Sequence, residues 1–173
     1  MTPVVAVIAP GMMGAAVGKR LADNGVKVLT SLQGRSAETA TRAKAAGMAA
    51  AGDEEIAACD FILSILPPGD AVALAERFQP ALKASNAKPV YVDCNAINPK
   101  TVDRVAAVIA PTDCPFVDSG IGHFQRGSGA HGAIQHADVE TVLAKRGKAR
   151  RGRAGSVKTR AGVAWLGRRA DDA

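Results

Sequence analysis

Two glycines three residues apart, Gly11 and Gly14, follow the apolar run Val4-Val5-Ala6-Val7-Ile8-Ala9 and a proline, Pro10. Where a strand turns straight into a helix, the first helical N–H groups have no partner and point out of the turn, and with the helix dipole they favour an anion. Gly11 lets the backbone approach a pyrophosphate closely, and Gly14 lets the helix pack close against the strand. These are the second and third glycine positions of the dinucleotide fingerprint. Ala9 stands at the first. Because Pro10 pushes Ala9 toward extended angles, the turn is expected to manage without the positive φ that glycine supplies.

The second candidate is Arg35. No acid lies between Lys27 and Ala37, the stretch where an acid would accept the ribose 2′-OH of NAD after the second strand of such a fold. An arginine there can pair with a 2′-phosphate, which points to NADP, with NAD as the other cofactor compatible with the fingerprint. A solvated surface arginine is the plain alternative. Other reactive types give weaker signals. Cys94 falls near the expected cleft with no histidine placed to activate it. His123, His131 and His136 lack the spaced acids or cysteines of a metal site, and none is expected. Met12-Met13 reads as packing beside the turn.

Positioning these residues requires alternating strands and helices. The run at residues 4–9 suits a strand buried on both faces of a parallel sheet. Met13, Val17 and Leu21, at i, i+4 and i+8, predict the inner stripe of a helix ended by Gly25. Further strands are expected at residues 27–32, 49–51 and 61–66, within 89–97 (a strand and its exit), and at 114–119. Helices are expected from Ser36 to residue 46, from 53 to 58, from 70 to 78, and after the Asn98-Pro99 cap, with Val102, Val105 and Ile109 inward. Regular alternation dictates right-handed crossovers and a doubly wound parallel α/β sheet, Rossmann-like in organisation. Ligands in such sheets sit beyond the carboxyl ends of the strands, where the irregular junctions at 9–14, 33–36, 66–70, 94–98 and 118–122 should converge.

The 173 residues suffice for one domain with a real core. Charge divides them unevenly. Residues 1–122 hold 11 Lys/Arg and 12 Asp/Glu, net −1, whereas residues 123–173 hold 11 and 4, net +7. Three scattered cysteines, Cys59, Cys94 and Cys114, suit reduced thiols in a cytoplasmic protein. No signal-peptide pattern opens the chain and no run approaches the roughly 18 apolar residues of a membrane span, so a membrane is not an expected partner.

Five motifs in order resemble the β-hydroxyacid dehydrogenase family, which includes 6-phosphogluconate and 3-hydroxyisobutyrate dehydrogenases. They are Ile8-Ala9-Pro10-Gly11-Met12-Met13-Gly14, Gly34-Arg35-Ser36, Ser64-Ile65-Leu66-Pro67-Pro68, Val92-Asp93-Cys94-Asn95-Ala96 and Phe116-Val117-Asp118-Ser119-Gly120. The first motif looks most like a 6-phosphogluconate dehydrogenase-like branch that carries alanine-proline there. The resemblance implies that the turn from Ala9 and Pro10 through Gly11, Met12, Met13 and Gly14 holds the pyrophosphate. It gives Arg35 and Ser36 the adenosine phosphate, and Leu66 and Pro67 the cofactor's edge. Asn95 and Ala96 stand where the family usually has Ser-Thr near the nicotinamide, Ala96 without the hydroxyl. Asp118, Ser119 and Gly120 begin the substrate-binding segment for a small molecule. The loop ahead of Arg35 is longer than in the best-known members.

After residue 122 the alternation stops. The last 51 residues hold eight Leu/Ile/Val/Phe, eight glycines and a basic run at 145–153. So little apolar surface predicts a poorly ordered tail, with at most a marginal helix at 139–146. Three readings fit it: a coding frame lost near Gly122, or a truncation product; a basic tail that binds nucleic acid by counterion release; or an inert linker. The family's helical domain, with its catalytic lysine, is not recognisable. Residues 152–158 resemble that motif faintly and lack its asparagine.

The expectation is therefore an NADP(H)-binding domain at 1–122 of a 3-hydroxyacid dehydrogenase-like oxidoreductase, with little or no turnover by this chain alone. Self-association through apolar surface is also expected. The alternative is a non-catalytic nucleotide-binding module whose tail contacts nucleic acid.

Overall fold

A computed structural model describes residues 3–123 and 132–135 of the chain. Its strands are β1 (Val4–Ile8), β2 (Lys27–Thr30), β3 (Met48–Ala50), β4 (Phe61–Ser64), β5 (Val90–Asp93) and β6 (Phe116–Asp118). They form one six-stranded sheet in the order β3-β2-β1-β4-β5-β6, and every neighbouring pair is parallel. The helices are α1 (Met12–Asp23), α2 (Ala37–Ala45), α3 (Asp53–Ala57), α4 (Ala71–Ala84) and α5 (Pro99–Ile109). This is the expected doubly wound α/β fold of Rossmann type. The winding reverses between β1 and β4, which opens a crevice at the carboxyl ends of those strands.

Alternation along the strands divides the core. Ala6, Ile8, Ile62 and Tyr91 pack on one face with Ile56, Leu74, Phe78, Val105 and Ile109 of α3, α4 and α5. Val5, Val7, Val28 and Leu63 pack on the other with Ala15, Val17 and Ala43 of α1 and α2. Both faces are covered, so the strands are short apolar runs and not polar-apolar repeats.

Several local expectations need correcting. The strands at 27–32 and 61–66 end two residues early, at Thr30 and Ser64, which frees Ser31, Leu32, Ile65 and Leu66 to shape loops. The helix expected at 70–78 begins after a short 3-10 turn and continues to Ala84, through Pro80. An interior proline costs about 3 kcal/mol. Phe78 and Leu82 on either side are fully buried, and burial of each returns roughly 1.5–3 kcal/mol, enough to carry the helix on.

Of the segment from residue 123 onward, where a poorly ordered tail is expected, the structure describes His123 and residues 132–135. Residues 120–123 (β7, Gly120–His123) pair antiparallel with residues 132–135 (β8, Gly132–Gln135). Generic ladder hydrogen bonds need no apolar side chains, so composition did not forbid them. The expected helix at 139–146, the basic run and residues 152–158 lie outside the described residues. Among the described residues, no helix is long and apolar enough to cross a membrane.

Candidate functional site

The glycine turn is built differently from its expected form. Ala9 has φ 59°, in the left-handed region that costs an L-residue about 1–2 kcal/mol. The pre-proline restriction favours extended angles, but packing decides otherwise. A methyl on Gly14 would stand 2.2 Å from the Ala9 carbonyl oxygen, so α1 closes directly onto that peptide and the chain must turn sharply after β1. Arg42 Nη1 reaches the Pro10 carbonyl at 3.5 Å from α2.

Gly11 is the N-cap of α1, with no side chain capping the helix, and its carbonyl accepts the Ala15 N–H at 2.9 Å. The N–H groups ahead of Ala15 therefore have no intrahelical acceptor. A methyl on Gly11 would meet nothing within 4 Å. The protein does not need this glycine for its own packing, and the open space in front of it is what a phosphate would fill.

Met12 and Met13 do not pack beside the turn as expected. They are 86% and 42% exposed, because α1 buries Gly14, Ala15, Val17 and Gly18 instead. Close approach to the sheet selects small residues: a methyl on Gly18 would lie 2.5 Å from Met48 Sδ. The methionines are left lining the cleft.

A cleft of about 410 Å³ opens at the crevice between β1 and β4. The turn from Ala9 to Gly14 forms its floor, Arg35 and Thr39 one wall, and Ile65, Leu66 and Pro67 the other. Sequence reasoning placed nine of these eleven residues. Arg35 follows a β-turn in which its N–H donates to the Leu32 carbonyl at 3.0 Å, with Gly34 at φ 69°. Ser36 is not part of the lining. Its Oγ accepts the Thr39 N–H at 3.2 Å and caps α2, and Thr39, 3.1 Å away through its hydroxyl, takes the place on the wall. The Ser-x-x-Thr spacing was the available signal.

Asn95 and Ala96 do not line this cleft. Asn95 is buried; its Oδ1 accepts the Leu66 N–H at 2.7 Å and its Nδ2 donates to Ser64 Oγ at 2.9 Å. Ala96 is exposed. Asp118 ends β6 in register with Asp93, Ser119 is buried and donates its N–H to the Asp93 carbonyl at 2.7 Å, and Gly120 opens β7.

Asp93, missed by sequence reasoning, is the buried acid of this region. Its Oδ1 accepts the Asn95 N–H at 2.9 Å and its Oδ2 has no partner. Burial pushes its carboxyl up to about 6, against the pull of the Asn95 hydrogen bonds and with help from Asp118. Cys94 is buried, and burial pushes its thiol up to about 12. That is the wrong direction for a nucleophile.

An uncapped helix start with open space before Gly11, and a cationic wall without an acid, fit the diphosphate and adenosine end of a dinucleotide. The family model for the NAD binding domain of 6-phosphogluconate dehydrogenase matches residues 4–147. The chain belongs to this family. The match to this NAD-binding domain runs past residue 122, where the sequence pattern changes.

Among solved structures, the conserved protein MTH1747, of unknown function and structurally similar to 3-hydroxyacid dehydrogenases, is 33% identical with a TM-score of 0.64. The match covers 75% of this chain and 48% of that one. Mycobacterium tuberculosis 3-hydroxyisobutyrate dehydrogenase with L-serine is 22% identical, with a TM-score of 0.61 and coverage of 85% and 50%. An imine reductase from Myxococcus stipitatus in complex with NADP+ is 16% identical, with a TM-score of 0.58 and coverage of 69% and 41%. The last two share the fold of this NAD-binding domain. The chain spans about half the length of the solved structures it matches. No curated protein matches it.

Proposed function

We propose that this NAD-binding domain prefers NADP(H) and serves a 3-hydroxyacid dehydrogenase-like oxidoreductase. The observation that carries the reading is Arg35 on the cleft wall after β2, on a wall that carries no acid. A guanidinium pairs with a 2′-phosphate in a bidentate manner, whereas NAD recognition calls for a carboxylate there. The N–H groups of Met12, Met13 and Gly14 would hold the diphosphate, and Leu66 and Pro67 the cofactor's edge. The bound nicotinamide would supply hydride acceptance from a CH–OH group.

Asp118, Ser119 and Gly120, at the carboxyl end of β6, would face a small-molecule substrate. Asn95 and Ala96 would stand toward the nicotinamide, Asn95 by holding Leu66. Three buried free cysteines, Cys59, Cys94 and Cys114, suit a reducing cytoplasm, and self-association remains an expected property. The test is fluorescence titration of the purified chain with NADPH and NADH. Tighter NADPH binding, without turnover of 3-hydroxy acids, is the expected result. Equal or tighter NADH binding would refute the preference, and turnover by the chain alone would refute the reading that catalysis needs more than these residues.

A further inference from the structure

Arg77 projects from α4 and makes four side-chain hydrogen bonds to two other parts of the chain. It grips both carboxylate oxygens of Asp53, at the start of α3, at 2.6 and 2.9 Å. Its Nη2 also donates to Ser31 Oγ and to Gln33 Oε1, each at 2.8 Å. The paired side chains of Arg77 and Asp53 are 31% and 26% exposed, and Ser31 is buried. A bidentate pair of this kind is more rigid than an open surface pair, which is worth little.

The place it holds is informative. Gln33 is a corner of the β-turn from Leu32 to Arg35, closed by the Arg35 N–H on the Leu32 carbonyl at 3.0 Å. Its other corner, Gly34, has positive φ and nothing within 4 Å of its would-be Cβ. No neighbour packs against the Gly34 corner, and at the Gln33 corner the side chain ties the turn to α4 through Arg77. Ser31 fixes the strand exit just before it. Arg35 leaves the turn directly onto the cleft wall. Arg77 itself is not part of the cleft lining, so its effect on a bound cofactor must pass through this turn.

We propose that Arg77 is a positioning residue for cofactor discrimination: anchored on Asp53, it holds the Gln33 corner so that Arg35 is presented at the height of a 2′-phosphate. The proposal rests on the reading of Arg35 given above.

The experiment measures NADP+ and NAD+ dissociation constants for the full chain and for Arg77→Met, Gln33→Ala, Arg35→Ala and the double variants with Arg35→Ala, with thermal unfolding in parallel. Gln33 is exposed, so its truncation leaves the core intact. Arg77→Met and Gln33→Ala should each weaken NADP+ about fivefold while NAD+ stays within about twofold, the size of a contact coupling near 1 kcal/mol. Neither should weaken NADP+ further once Arg35 is alanine. Equal losses for both cofactors, or additive losses in the double variants, would make Arg77 a general stabiliser and overturn the proposal. An Arg35→Ala chain that keeps its preference would show a failure of the underlying reading, and the role of Arg77 would fall with it.

Discussion

Asn95 Oδ1 accepts the backbone N–H of Leu66 at 2.7 Å, so a side chain just after β5 fixes the backbone just after β4. The bond ties the apolar cleft wall to the next strand's exit. Replacing Asn95 with alanine leaves a part-buried N–H without its acceptor and Ser64 without a donor, at about 1–3 kcal/mol. Chemical denaturation should show that loss, and cofactor affinity should fall with it as Leu66 shifts. Asn95→Asp keeps the acceptor and should retain more of the affinity than alanine does. An alanine variant with unchanged affinity would mean that Leu66 holds its place unaided.

The two glycines of the turn should separate folding from binding. At Gly14 a methyl meets the Ala9 carbonyl at 2.2 Å, a contact that backbone must move to relieve. Gly14→Ala should lower stability by about 1–3 kcal/mol, as overpacking does. At Gly11 a methyl meets nothing. Gly11→Ala should cost no more than about 1 kcal/mol of stability, the N-cap preference for glycine over alanine, yet weaken NADPH binding at least tenfold by occupying the phosphate's space. Unchanged binding in Gly11→Ala would move the phosphate elsewhere.

Ala9 carries its methyl at φ 59°, where glycine has no such penalty. Ala9→Gly relieves about 1–2 kcal/mol of left-handed strain and adds unfolded-state entropy worth about 0.4–1 kcal/mol. A net gain of about 0.5–1 kcal/mol is expected, visible as a higher urea midpoint with unchanged slope. A lower midpoint would show that the methyl's burial outweighs the strain.

Asp93 should make stability depend on pH in the sense opposite to an ion-paired carboxylate. Its folded value is raised from 3.8 to about 6, chiefly by burial. Below 3.8 folded and unfolded chains both hold the proton and there is no penalty. Between 3.8 and about 6 the unfolded chain releases it first, so this group's contribution falls as pH rises, by on the order of 3 kcal/mol once complete. Asp93→Asn removes that slope, and its stability relative to the parent should grow from pH 4 to pH 7. A constant offset across that range would place the titration on another group.

The sheet was legible from the sequence because each strand is a short apolar run bounded by a turn, and Asn98-Pro99 marked the start of α5 to the residue. The site was legible where a single backbone motif builds it, as at Gly11, Gly14, Leu66 and Pro67. It was not legible where packing overrides local preference. Ala9 looked extended because the proline after it acts locally, while the contact with Gly14 that turns it lies in three dimensions. Ser36 caps α2 as the sequence predicts, but the cap also sets Thr39 on the cleft wall, which the sequence did not announce. Arg77 and Asp53 lie 24 residues apart, and nothing in either neighbourhood announces the other.

The start of α1 is set from behind before any ligand arrives, by Gly14 against Ala9, Ala15 on Gly11 and Arg42 on Pro10. Folding therefore bears the entropy of ordering this turn, and association has no loop left to arrange there. Stopped-flow mixing with NADPH should then show one concentration-dependent phase, without a slow isomerisation that saturates. The turn acts as a mould cast in advance, and the rate of capture is governed by encounter.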